Sequence, residues 1–265
     1  MKFDISYLLE SWDYHPGQLA VRKFTGTDGV EKLQMRLDLG ILQMNTDGRP
    51  DGKLPMGFAS WFEFHEDRLE KHKQENEGSE DGFELAGPDI TRLQQEAIQF
   101  HHRYICFYQL GEYDKVARDA ERNLKVFDFV DDYAASDELS WSLQQFRPQL
   151  IMMLTRAEGS LAIEAGDLVQ AVEVIREGID ALKEFYLDFE RQDLLDNSGE
   201  IHSLEQWLEE IETNPLDGEG ESDSDKLQPL TKLERLERDL NKAVELEDYE
   251  KAAKIRDQIN NLKAS

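Results

Sequence analysis

Lys32 to Met44 reads KLQMRLDLGILQM, and its alternation decides the first part of the fold. Leu33, Met35, Leu37, Leu39 and Ile41 occupy alternate positions, with Lys32, Gln34, Arg36 and Asp38 between them. A period of two is that of a strand with one face buried, so one long half-buried strand is expected here. LAVRKF (Leu19 to Phe24) is a shorter strand candidate. GTDG (Gly26 to Gly29) between the two supplies residues suited to a hairpin loop, and NTDGRPDG (Asn45 to Gly52) ends the second strand with turn chemistry. The segment SYLLESW (Ser6 to Trp12) is expected to pack on this small antiparallel sheet as a short helix or strand.

From Phe58 the period becomes helical. FASWFEFHEDRLEKHKQENE (Phe58 to Glu77) starts apolar and ends polar, and EGSEDGFELAGPD is a loop that brings Pro88 to the start of the next helical run. Helices dominate as far as residue 212. Breaks are expected at Arg147-Pro148 and within Asp131 to Asp137, because the residue before proline avoids helical angles and Asp and Ser favour caps. The fold class is therefore α+β: a small β element (1–57), an acidic helical region (58–213), a flexible acidic linker (214–229) and a C-terminal helical hairpin (230–265).

Two stretches of the helical region resemble tetratricopeptide units, in which paired antiparallel helices approach through small residues at set places. LTRAEGSLAIEAGDLVQAVEVIREGI (Leu154 to Ile179) has Gly159, Gly166, Ala171 and Gly178 at the four places where that family prefers small residues. YICFYQLGEYDKVARDAERNL (Tyr104 to Leu124) has the Leu110-Gly111-Glu112-Tyr113 turn, but Tyr104, Val116 and Asn123 depart from the small-residue pattern. Together they resemble an interrupted pair of units rather than a regular array.

Composition removes several functional classes. The chain has 265 residues and a formal net charge of −27. Residues 61–229 hold 41 acidic groups against 15 basic ones, so a surface of this kind repels phosphate backbones and no direct nucleic-acid binding is expected. Cys106 is the single cysteine, which rules out an intramolecular disulfide and any cysteine-rich zinc set and suits the cytoplasm. Asp4, Glu10 and Asp13 interrupt the N-terminal stretch, and no apolar run approaches the roughly 20 residues of a membrane span. Neither secretion nor membrane insertion is expected.

No phosphate loop, GxSxG elbow or HExxH pair occurs, and no catalytic residue, metal site or cofactor is assigned. His65 and His72 lie about two turns apart beside Glu66 and Arg68, which reads as a solvated helix face. His102 and Cys106, four residues apart, form a conceivable thiol–imidazole pair, but Phe100, Tyr104, Ile105 and Phe107 around them read as a packed helix in which a lone cysteine is inert. Arg36, Asp38, Asp47, Arg49 and Asp51 on the long strand and its following loop could bind a ligand, although turn formation explains them more simply.

NPLDGEGESDSDKLQP (Asn214 to Pro229) is bracketed by prolines and has a linker's composition. In TKLERLERDLNKAVELEDYEKAAKIRDQINNLK after it, Leu233, Leu236, Leu240, Ala243 and Val244 form one helical stripe. Ala252, Ile255, Ile259 and Leu262 form another, and Asp248 is placed to cap the second helix. The stretch resembles the UVR motif shared by the UvrB and UvrC subunits of bacterial excinuclease, through Leu236, Ala243, Asp248, Glu250, Ala252, Ala253, Arg256, Asp257, Ile259 and Leu262. Leu240, Val244 and Tyr249 are conservative departures from it. The resemblance implies protein association, as in the excinuclease, a Clp-type chaperone ATPase and an activator of protein-arginine kinase. Nothing else in the chain resembles the helicase of UvrB or the nuclease domains of UvrC.

A hairpin of about 35 residues is too small to bury its own stripe, which independently favours docking on another surface. The reading is a non-catalytic adaptor or scaffold that joins a protein partner or its own copy through the coiled-coil-like tail. Its expected partner-binding residues are Leu236, Leu240, Val244, Tyr249, Ala252, Ala253, Arg256, Asp257 and Ile259. Rival readings are an enzyme or ligand-binding protein with a site between the β element and the helical region, and an accessory factor in DNA excision repair or Clp-type protease regulation.

Overall fold

A computed structural model describes residues 4–195 and 197–213, together with Arg256. The fold class is α+β, with a small antiparallel sheet followed by helices. Strands β1 (Val21–Thr25), β2 (Glu31–Leu37) and β3 (Gly40–Asn45) lie in the order β1-β2-β3. Val21 pairs with Met35 and Thr25 with Glu31 across the first hairpin, whose loop contains GTDG.

The single long strand expected over Lys32–Met44 is in fact two strands. Leu37 pairs with Gly40, so Asp38 and Leu39 form a two-residue turn. The turn changes the parity: Leu33 pairs with Met44 and Met35 with Leu42, whereas Ile41 pairs with Arg36 on the opposite face. Leu39, expected in the buried row, is 87% exposed. The turn is held by Arg36, whose guanidinium donates to the carbonyls of Leu37, Asp38 and Gly40 and, at 2.8 Å, to that of Trp12.

Nor is β2 half-buried, since Gln34 and Arg36 on its polar face are buried as well as Leu33 and Met35. The chain after α1 (Ser6–Glu10) lies over that face. The Arg22 guanidinium stacks 4.1 Å from the Trp12 ring centroid and that of Arg36 5.7 Å from Tyr14. Stacked guanidinium groups that also satisfy backbone carbonyls let a polar face be buried without orphaned donors.

The helices are α2 (Trp61–Glu75), α3 (Gly87–Gln109), α4 (Tyr113–Tyr133), α5 (Asp137–Gln144), α6 (Arg147–Glu164), α7 (Leu168–Asp188), α8 (Gln192–Leu195) and α9 (Gly199–Thr213). Their starts follow from local chemistry. The side chains of Ser60, Ser136 and Asp167 accept the backbone N–H three residues on, and Pro88 and Pro148 stand in first turns, where a missing N–H costs nothing. The breaks expected near 131–137 and 147–148 fall at residues 134–136 and 145–146.

Each long helix packs on the next: α3 on α4, α4 on α6, α6 on α7, and α7 on α9. Close approach of α6 and α7 depends on the small residues singled out from the sequence. A Cβ on Gly178 would collide with Thr155 Oγ1, and one on Gly159 would stand 3.5 Å from Ile175 Cγ1 on α7 and 2.6 Å from Trp207 Cη2 on α9. Ala171 is fully buried, and Gly166 turns the chain at a φ of +76°. The α3–α4 pair is closed differently. Val116 fills its contact with no exposure, and Asn123 Nδ2 donates at 3.0 Å to the Ala97 carbonyl across the helices. Among the described residues, no helix is long and apolar enough to cross a membrane.

Candidate functional site

The charged groups of the helical part are most densely arranged where the sheet meets α3 and α4. Arg103, 1% exposed, donates through Nε and Nη2 to both oxygens of Asp119, at 2.6 and 2.8 Å. Its Nη1 donates to the carbonyls of Asn45 and Gly48 at 3.1 and 2.7 Å. Arg118 donates to Asp119, to the Asp47 carboxylate at 2.9 Å and to the Thr46 carbonyl at 3.0 Å. Burial works to lower the Arg118 pKa, but Asp119 and Asp47 more than offset it and hold the guanidinium above its ordinary value. Two arginines thus clasp the loop after β3 onto the helices.

Glu96 is fully buried on α3 and faces the start of α2. Its oxygens accept the backbone N–H groups of Trp61 at 2.8 Å and Phe62 at 3.4 Å, while Arg122 binds one oxygen and Arg49 stands 3.2 Å from the other. A carboxylate at a helix N-terminus meets both the open N–H groups and the positive end of the helix dipole, so Glu96 acts as a tertiary cap for α2. Burial lowers the pKa of Arg122 against the opposing pull of Glu96, and its guanidinium stacks 4.1 Å from the Phe100 centroid.

The loop residues considered for ligand binding are drawn into this internal network. Arg36 holds the β2–β3 turn, Asp47 meets Arg118, and Arg49 reaches Glu96. Asp51 accepts from the Lys53 backbone and from Gln99 at 3.3 Å, and Asp38 is exposed on the turn. The junction as it stands positions chain segments, and its charges neutralise one another.

Of the histidines, His65 does not lie on a solvated face. It is fully buried; its Nδ1 accepts from Arg68 at 2.8 Å, and its Nε2 stands 3.9 Å from Asp89 at the start of α3. The helix turns this residue inward together with Leu69. Burial pulls its pKa down to about 4, against the opposing pull of Asp89. His101, bonded to the Tyr104 hydroxyl at 2.6 Å, is likewise pulled down to about 4, first by burial and then by His102. Cys106 has no exposure, and burial pushes its thiol up to about 12. A thiol so placed does not supply a thiolate, which leaves the thiol–imidazole pair without a nucleophile.

Sequence reading passed over Glu96, Arg103, Asp119 and Arg122, yet a signal was available for three of them. Leu93, Glu96, Phe100, Arg103 and Phe107 keep the spacing of an apolar stripe, as do Val116, Asp119, Asn123 and Val126. Charged residues on such a stripe mark buried pairs, since an isolated buried charge is not tolerated.

The C-terminal candidates Leu236, Leu240, Val244, Tyr249, Ala252, Ala253, Asp257 and Ile259 lie outside the described residues. Arg256 is helical and exposed. By internal contacts the chain divides into two units, 1–220 and 221–265. Residues 231–265 match the family model of the UvrB/uvrC motif. No curated protein and no solved structure matches the chain.

Proposed function

We propose that this protein is a non-catalytic adaptor that associates with a partner protein, or with its own copy, through residues 230–265. The match of residues 231–265 to the UvrB/uvrC motif carries this reading, because the motif is an interaction module and not a catalytic one. It is supported by a charge balance that sets the segment apart from the acidic region before it. Residues 230–265 carry eight basic and eight acidic groups, so close approach to another chain meets no net repulsion. The organisation proposed is that of an acidic, tetratricopeptide-like helical region and a small sheet joined by the 214–229 linker to a docking hairpin.

The test is Ile259→Asp in the full-length chain. A charge buried at a hairpin interface without a partner costs several kcal/mol, comparable to a modest binding free energy. Light scattering reads self-association and pull-down reads a foreign partner; at least one should be lost in the variant. Arg256→Ala should have the smaller effect if the guanidinium makes only a surface pair of about 0–1 kcal/mol. Association unchanged by Ile259→Asp, with helix content retained, rejects the docking reading.

A further inference from the structure

A cleft of about 310 Å³ lies between α2 and α4. Phe62 and Leu69 from α2 and Phe129 from α4 form its apolar floor, with the Phe62 and Phe129 rings edge-to-face at 5.5 Å. Glu66 on α2 and Asp132 on α4 are exposed on its two walls. Neither carboxylate has an ion pair or a hydrogen bond to another described residue.

Four other acids of the described residues are each matched by two cations. Asp119 has Arg103 and Arg118, Glu96 has Arg49 and Arg122, Asp89 has Arg68 and Arg92, and Glu112 has Lys23 and Lys115. Around the cleft the cations are already engaged or outnumbered. Lys73 is held by Glu80 and Arg147 takes Asp128, while Arg122, itself paired to Glu96, and then Lys125 on the rim offset only part of what raises the Glu66 pKa. Both free carboxylates accordingly have raised pKa values, Glu66 through partial burial and then Glu63, Asp132 through partial burial and then Asp131, Asp128 and Glu80.

We infer that this cleft is a docking site for a basic segment of another protein, with a Lys or Arg side chain entering between Glu66 and Asp132 and an apolar side chain resting on Phe62 and Phe129. Charge complementarity selects this occupant. A cation there meets two carboxylates that form no ion pair among the described residues, and its aliphatic stem finds an apolar floor, as long basic side chains do at mixed surfaces. The strong acidity of residues 61–229 draws the same partner from a distance. The inference is independent of the hairpin, whose failure to associate leaves the cleft unaffected.

The probe is a fluorescein-labelled amphipathic helical peptide of leucine and lysine, with its leucine–glutamate counterpart as control, followed by anisotropy against the full-length protein. The Leu/Lys peptide should bind with an affinity that falls as salt rises, and the Leu/Glu peptide should not bind. Glu66→Gln/Asp132→Asn should weaken binding about tenfold, the effect of removing two ion pairs of modest strength. Asp180→Asn/Glu184→Gln, which removes the same charge from the exposed side of α7, should change it by less than about twofold. The cleft variant should also keep or raise its Tm, because it neutralises carboxylates whose charged form the fold disfavours. Equal losses in both double variants, no loss in either, or equal binding of both peptides overturns the proposal. So does concentration-dependent self-association in sedimentation velocity that only the cleft variant abolishes while the Leu/Lys peptide does not bind, which would assign the cleft to a second copy.

Discussion

Replacing Glu96 tests whether the acidic helices are held together by buried pairs or merely decorated with them. In Glu96→Gln the side chain keeps its shape and one acceptor oxygen but loses its charge, so Arg122 and Arg49 face a neutral amide beneath the start of α2. Removing one partner of a buried pair costs about 3–5 kcal/mol, because the remaining charge stays desolvated. Glu96→Ala also strips the acceptor from the Trp61 and Phe62 N–H groups, each a bond to a charged group worth about 1.5–3 kcal/mol before relaxation. These terms overlap, and a loss of about 3–5 kcal/mol is expected for the alanine variant, a large part of a domain stability of about 5–15 kcal/mol.

Urea denaturation followed by tryptophan fluorescence measures this, since Trp61 stands on the capped turn, and a constant m-value keeps the comparison valid. Adding Arg122→Met to Glu96→Gln removes the stranded charge and should recover a substantial part of the loss, giving a coupling of about 1–3 kcal/mol in the double-mutant cycle. Amide exchange at Trp61 and Phe62 should accelerate in Glu96→Ala ahead of the α6–α7 amides. A loss below about 1 kcal/mol for Glu96→Gln, with Arg122→Met strictly additive, refutes the buried-cap account.

Gly178→Ala should destabilise by about 1–3 kcal/mol despite the gain of up to about 1 kcal/mol in helix propensity, because the new methyl group meets Thr155; a raised urea midpoint would show that α6 and α7 are not so close. Acid should destabilise the fold between about pH 6.5 and 4. In that window unfolded His65 and His101 bind protons that the folded residues, near 4, do not, so stability falls with pH at up to about 1.4 kcal/mol per unit for each. His65→Gln should flatten that slope in pH-dependent urea titrations, and an unchanged slope would exclude the residue. Cys106 should resist thiol reagents at neutral pH in the native protein and react fully in denaturant, so rapid native labelling would contradict its burial.

What could be read from the sequence depended on how far apart the deciding residues lie along it. Helix starts at Ser60, Pro88, Ser136 and Pro148 and the small-residue contacts of α6 with α7 come from patterns a few residues long. The β2–β3 turn was missed although its signal is also short-range: Leu42 and Met44 fall on the opposite parity to Leu33 and Met35, which a two-residue turn reconciles and a continuous strand does not. The junction is a different case. Glu96 meets Arg122, 26 residues on, and Trp61, 35 residues back, and Arg103 meets Asp119 sixteen residues on. No local period assigns those partners. Yet a glutamate and an arginine among Leu93, Phe100 and Phe107 could not remain in an apolar interface alone, so the sequence already demanded opposite charges and open N–H groups facing α3. The fold meets that demand with α4 and the start of α2, and this is why a region so rich in acids can pack its helices at all: the buried carboxylates of Glu96 and Asp119 are committed to arginines, while Glu66 and Asp132, facing outward over the α2–α4 cleft, form no ion pair among the described residues.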